Sequence, residues 1–144
     1  MATISQLSGT IQTVLDTALN SMANNALVLS GEITLTSLNY LEAEIELYIA
    51  GMGGTPTANT AFVLWILRAL DGTNYEDGGT SVTPARLPDA FFTVRAVSTA
   101  QRLRARVKLP PGAMKFLLKN DGTGQALASS GNTLKVKPLT VQSS

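Results

Sequence analysis

The chain has 144 residues, 44% of them hydrophobic and 15% charged, with a formal net charge of +1 and no cysteine or histidine. That length suits one domain around one core, and the apolar content excludes a disordered chain. The missing residue types exclude disulfides, zinc–thiolate sites, iron–sulfur clusters and any Ser-His-Asp or Cys-His catalytic centre.

Residues 1–25 differ from the rest. Ile4, Leu7, Ile11, Val14, Ala18 and Ser21 follow a three-four spacing, widened by Leu15, Leu19 and Met22, with Thr10 as a candidate N-cap. Frequent Ser and Thr, Gly9 and a single charge weaken that signal. Two readings stay open: a short helix, or an extended arm that orders on a partner. The opening MATISQLSGT has no Lys or Arg and no continuous apolar core, so it is not a secretory signal. The expectation is a soluble protein made in the cytosol.

From residue 26 the period changes to two, and 26–144 reads as one β domain. ALVLSGEITL gives two short strands around Ser30-Gly31. In LEAEIELYIA, Leu41, Ala43, Ile45, Leu47 and Ile49 face one way and Glu42, Glu44 and Glu46 the other. GMGGTPTANT is a loop, and AFVLWILRAL is apolar on both faces, as a strand buried between layers would be. Its run AFVLWIL is far too short to span a bilayer. DGTNYEDGGTSVTPARLPD is a long loop. Strands follow at FFTVRAVST, RLRARVKL, MKFLLKN, QALAS and TLKVKPLTV. Eight or nine short strands at roughly ten-residue spacing indicate an all-β, antiparallel sandwich or barrel. Ile45, Leu47, Val63, Trp65, Leu67, Leu103, Val107, Phe116 and Leu134 are the expected core.

No motif carries chemistry. GMGGTP lacks the third glycine of a dinucleotide fingerprint, and there is no Gly-Lys-Ser/Thr and no Gly-x-Ser-x-Gly. DGTNYEDGG places Thr73 and Tyr75 where a calcium loop needs oxygen ligands, so a polar turn is the better reading. Three carboxylates on one strand face, without aromatics to stack on sugar, do not make a glycosidase. The expectation is no enzyme, no metal and no cofactor.

Charge distribution says more than net charge. Residues 1–67 hold five acids and no cation; residues 68–144 hold all eleven cations and five acids. In QRLRARVKLP, Arg102, Arg104, Arg106 and Lys108 share one strand face. Like charges so spaced need an offset. Glu42, Glu44 and Glu46 have the same two-residue spacing, which marks these seven residues as an electrostatic match between strands or subunits. Nucleic acid is the weaker second partner, since net basic charge and exposed aromatics are both missing.

The runs ILRALDGTNYEDGG and LPPGAMKFLLKNDGTGQALASSGNTLKVKPLT resemble small β-rich virion proteins of tailed bacteriophages, some of which act as capsid decoration (cement) proteins. The resemblance covers roughly residues 60–140 and carries no catalytic motif. It implies a jelly-roll-like sandwich, often trimeric, that sits on the outside of a virion shell and bridges capsomers of the major capsid protein. The alternatives are a tail or fibre component that binds carbohydrate, or a nucleic-acid binder acting through Arg102–Lys108.

Overall fold

The computed structural model describes residues 4–35 and 41–143. Its strands, in chain order, are β1 (Ile4–Ser8), β2 (Gln12–Leu15), β3 (Leu27–Leu29), β4 (Ile33–Thr34), β5 (Glu42–Ile49), β6 (Ala61–Arg68), β7 (Ala90–Thr93), β8 (Gln101–Lys108), β9 (Ala113–Asp121) and β10 (Thr133–Ser143). They form two antiparallel sheets. In the first, β1 and β2 pair with β10, β10 with β5, and β5 with β8. In the second, β3 and β4 pair with β9, β9 with β6, and β6 with β7. With β1–β2 and β3–β4 each taken as one interrupted strand, the first pairs with the last, the second with the seventh, the third with the sixth and the fourth with the fifth. That is the strand order of a jelly roll. The all-β antiparallel sandwich expected from the period-two pattern is what the chain forms.

Both interruptions have a chemical cause. Between β3 and β4, the Ser30 N–H donates to Phe116 O at 2.8 Å while Ser30 Oγ accepts the Phe116 N–H at 2.8 Å. The hydroxyl replaces a carbonyl of the ladder and lets the strand bulge. Between β1 and β2, the break lies beside Pro138, whose carbonyl accepts the Gly9 N–H at 2.8 Å. Proline has no N–H to give a ladder, so an interior strand carries one only where its neighbour gives way.

The N-terminal helix does not form. Residues 4–8 and 12–15 are strands, and the helical part is one 3-10 turn, Thr17–Leu19, capped by Asp16 rather than Thr10. The Thr17 N–H donates to Asp16 Oδ1 at 2.6 Å. Weak helix formers meet a β10 edge that accepts their backbone, and the ladder prevails. Part of the apolar stripe is buried: Val14, Leu15, Leu19 and Met22 join the main core, whereas Ile11 and Ala18 are exposed. No core boundary falls at residue 25.

Two further segments depart from expectation. QALAS makes only one bridge, Leu127 to Met52. The buried Asn120 side chain donates to Gln125 O, and the rest of the segment bonds to non-strand backbone, with Leu127 N–H donating to Met22 O and Ala128 N–H to Gly51 O, so no ladder forms. FFTVRAVST leaves the sheet after Thr93 because buried Gln101 takes its backbone. Its amide accepts the Arg95 N–H and donates to Arg95 O and Val97 O.

Ile45, Leu47, Val107, Phe116 and Leu134 lie between the sheets with Phe62, Leu64, Ile66 and Phe92, and Leu103 packs partly buried against them. Val63, Trp65 and Leu67 are buried too, but on the other side of β6, in a second cluster with Leu117. The layer covering them is the 71–89 loop. Trp65 Nε1 donates to Arg86 O at 3.0 Å, and Tyr75 packs on the cluster. A Cβ at Gly78 would stand 3.1 Å from both Leu67 and Pro84, so the loop descends close onto the cluster there.

Arg86 clamps this loop. It donates to both Glu76 oxygens at 2.9 and 2.8 Å, to Asp89 Oδ2 at 3.0 Å and to Ile66 O at 2.8 Å. Asp89 Oδ2 also accepts the Ile66 N–H at 2.7 Å. The Arg86 hydrogen bonds hold the Glu76 carboxyl below its ordinary value of 4.5. Replacing Arg86 by alanine strands two partly buried carboxylates and is expected to cost about 1–3 kcal/mol, read by urea unfolding on Trp65 fluorescence. Because the folded Glu76 pKa is depressed, this contribution is present at neutral pH and lost as the pH falls below 4.5 through the folded value. The Arg86→Ala stability curve should accordingly fall less between neutral and acid pH than that of the parent.

Candidate functional site

Period two puts every second residue of β5 on the outer face of the first sheet, and β5 lies between two basic strands. Against β8, Glu42 stands opposite Lys108, Glu44 opposite Arg106, Glu46 opposite Arg104 and Tyr48 opposite Arg102. Against β10, Glu44 stands opposite Lys137 and Glu46 opposite Lys135. The acidic ladder and the basic ladder singled out in the sequence are thus neighbours within one chain.

The side chains pair diagonally as well as directly. Arg102 reaches Glu46 at 2.6 Å, Arg104 reaches the other Glu46 oxygen at 3.6 Å, and Arg106 reaches Glu42 at 2.8 Å. The Arg102 guanidinium lies 4.5 Å from the centre of the Tyr48 ring. All three arginines are more than half exposed. Each pair is therefore screened by water and contributes at most about 1 kcal/mol. Glu44, Lys108, Lys135 and Lys137 form no salt bridge among the described residues. The face carries six cations against three carboxylates, an excess of three positive charges. A shallow groove of about 250 Å³ runs across it, lined by Glu44, Glu46, Arg104, Lys135, Lys137 and the exposed Ile11.

All seven residues named from sequence occupy this face. Tyr48 was missed, although it is one further step in the series Glu42, Glu44, Glu46. The Arg86–Glu76–Asp89 cluster was missed as well, because residues ten and three apart in a loop have no period to betray them. In DGTNYEDGG, the Asp71 carboxyl is held at about 2 by the Asn74 N–H first, then by the Asn74 side-chain amide and the Thr73 N–H. Glu76 is engaged by Arg86. Among the described residues no group of three or more Asp or Glu stands together as a set of metal ligands.

No family model and no curated protein matches the chain. Among solved structures, it is similar to a GH115 4-O-methyl-α-glucuronidase, BtGH115A, with specificity for decorated arabinogalactans, at 9% identity and TM-score 0.43, over 94% of this chain and 17% of that one. It is also similar to the enzymatically active domain of bacteriophage CBA120 tailspike protein 4, at 11% identity and TM-score 0.34, over 99% of this chain and 19% of that one. The chain spans less than a fifth of either. Likeness at that level says nothing about function.

A charge-reversal series tests the ladder. Arg104→Glu with Arg106→Glu sets carboxylates beside Glu42, Glu44 and Glu46 and should destabilise the fold by about 1–2 kcal/mol. Adding Glu42→Arg and Glu46→Arg should restore only part of that loss, because the arginine at position 46 then faces Lys135 and the one at position 42 faces Lys108. Urea unfolding at low salt and at 1 M NaCl reads both effects, and high salt should shrink the difference between variants.

Proposed function

We propose that the protein is a non-enzymatic structural protein of a bacteriophage virion. In this reading it is a capsid decoration protein that binds the outer shell, bridges capsomers and acts as a homotrimer. The observation that carries the proposal is the outer face of the first sheet, open, strand-built and three positive charges in excess. Such a face suits contact with a large surface better than enclosure of a small substrate. Two of its three carboxylates are engaged by arginines, and the chain has no histidine to serve as a base. The resemblance over residues 60–140 supplies the virion context.

The physics of the role is additive. Neighbouring capsomers part first at their seams, and a small protein across a seam adds buried area there. Many weak contacts suffice when an oligomer engages several sites together. The carbohydrate-binding alternative has one exposed aromatic to offer among the described residues, Phe91. The nucleic-acid alternative has cations but no aromatic platform beside them, since Tyr48 is partly covered by Arg102.

Purified DNA-filled heads, freed of tails, should retain the protein and release it as salt rises. The four-residue charge swap provides the control, because it keeps the net charge and changes the pattern, and its circular dichroism spectrum reads whether the fold is kept. It should fail to rebind stripped heads. Recovery of the protein with tails rather than heads overturns the decoration role. Sub-micromolar binding to duplex DNA at physiological salt, with a steep salt slope, favours the nucleic-acid reading instead.

A further inference from the structure

Among the described residues, strand β8 is the longest uninterrupted strand at a sheet edge. It pairs with β5 alone, and no other strand joins its second side over Gln101–Lys108 among the described residues. The facing edge of the second sheet is β7, only four residues long. β8 therefore outruns it. The consequence shows in burial: Ile45 and Leu47 are fully buried, whereas their β8 partners Ala105 and Leu103 are only partly so. Beyond the start of β7 a cleft of about 630 Å³ opens between the sheets, lined by Ile66, Arg68, Pro88, Asp89 and the end of β8 from Arg106 onward.

The charges around this opening select its occupant. Arg68 and Lys108 form no salt bridge among the described residues, and Arg106 is shared with Glu42. The one carboxylate of the cleft, Asp89, is already bound by Arg86 and the Ile66 N–H. The free edge is thus positive along its outer face and apolar along its inner one. A second copy of β8 would bring like charges together. A strand that alternates carboxylates with apolar side chains would meet the cations on one face and cover Leu103 and Ala105 on the other.

We propose that β8 is a docking edge, to which an extended acidic–apolar segment of a partner protein adds as a further strand of the first sheet. Main-chain hydrogen bonds supply affinity in such strand addition, and alternate side chains supply selectivity. The inference rests on the assembly role above and gives that role a chemistry: the shell would contribute the acidic segment. Arginine and lysine on an edge also discourage self-pairing, and that function is compatible with admitting a partner of opposite charge.

The probe is a fluorescent peptide with the chain's own β5 sequence, LEAEIELYIA, whose pattern already fits β8 in the fold, with LKAKIKLYIA as control. The full-length protein should bind the acidic peptide with micromolar affinity, weakened by salt, and bind the control at least about tenfold more weakly. Arg68→Gln with Lys108→Gln should weaken binding without altering the circular dichroism spectrum, because neither side chain holds a salt bridge in the fold. Hydrogen exchange on the complex should slow at β8 amides and leave β9 unchanged. Equal binding of both peptides, binding without β8 protection, or no binding at millimolar peptide overturns the docking edge. Retention on heads without β8 protection overturns the edge and leaves the decoration role standing. Peptide binding by a protein that heads do not retain does the reverse. Protection of β8 by duplex DNA in place of the peptide also overturns it.

Discussion

Strand β5 holds its three carboxylates on one face and Ala43, Ile45, Leu47 and Ile49, all fully buried, on the other, and the first sheet depends on that division. A slip of one residue would turn the carboxylates into the core and the apolar row into water, so parity is set by burial. The charges settle something else. β8 and β10 both present cations on the outer face. Side by side they would repel, but with β5 between them each cation row faces an anion row. Strand order, rather than net stability, is what the exposed ion pairs secure.

The second sheet solves a different problem. β6 is apolar on both sides, and a jelly roll has only one inner face to offer. The outer row, Val63, Trp65 and Leu67, is covered by the loop that links β6 to β7. The loop adds only backbone bonds such as Glu76 N–H to Arg68 O at 3.0 Å and Asp89 N–H to Leu64 O at 2.8 Å, and side chains pin the rest of it in place. Arg86 bonds Glu76, Asp89 and the Ile66 carbonyl, and Tyr75 donates to Glu32 at 2.7 Å. The Glu32 bond raises the Tyr75 pKa to about 12, keeping the hydroxyl protonated and donating across the physiological range. The loop is in effect a third layer, pinned by hydrogen bonds where a helix would have used packing.

Most of the sheet architecture was legible from period alone. The strands at 42–49, 61–68, 101–108, 113–121 and 133–143 each have strong alternation or a continuous apolar run, and each formed within a residue or two of its expected place. What failed were segments whose backbone partners are a side chain or a stretch of loop. Nothing in FFTVRAVST announces that Gln101 will take its backbone groups, and nothing in QALAS announces that its backbone will bond to the 21–22 and 51–53 loops. The N-terminal stripe misled for another reason. Val14 and Leu15 are adjacent yet both buried, because the strand turns into a 3-10 turn at Asp16. Two local geometries in succession imitated one helical period. At the charged face, matching two-residue spacings identified the partners Glu42 to Glu46 and Arg102 to Lys108. They left open whether the match lay within a chain or between chains, since spacing carries no topology.

Topology explains the charge division between the halves of the sequence. A jelly roll is a long hairpin wound on itself, so its pairs join the first half of the chain to the second: β1 and β2 to β10, β3 and β4 to β9, β5 to β8, β6 to β7. A chain whose first half holds acids and no cations, and whose second half holds every cation, becomes, on winding, a sheet in which opposite charges meet across strands. Long-range pairing is the slow and error-prone part of folding an all-β chain, because the loop entropy falls due before the contacts form. Attraction between halves acts over roughly 8–10 Å at physiological salt, farther than any hydrogen bond. It favours pairing of first half with second over pairing within either half. Once β5 is neutralised from both sides, the cations in excess of its carboxylates remain on the outer face and edge, where the fold leaves them open to another molecule.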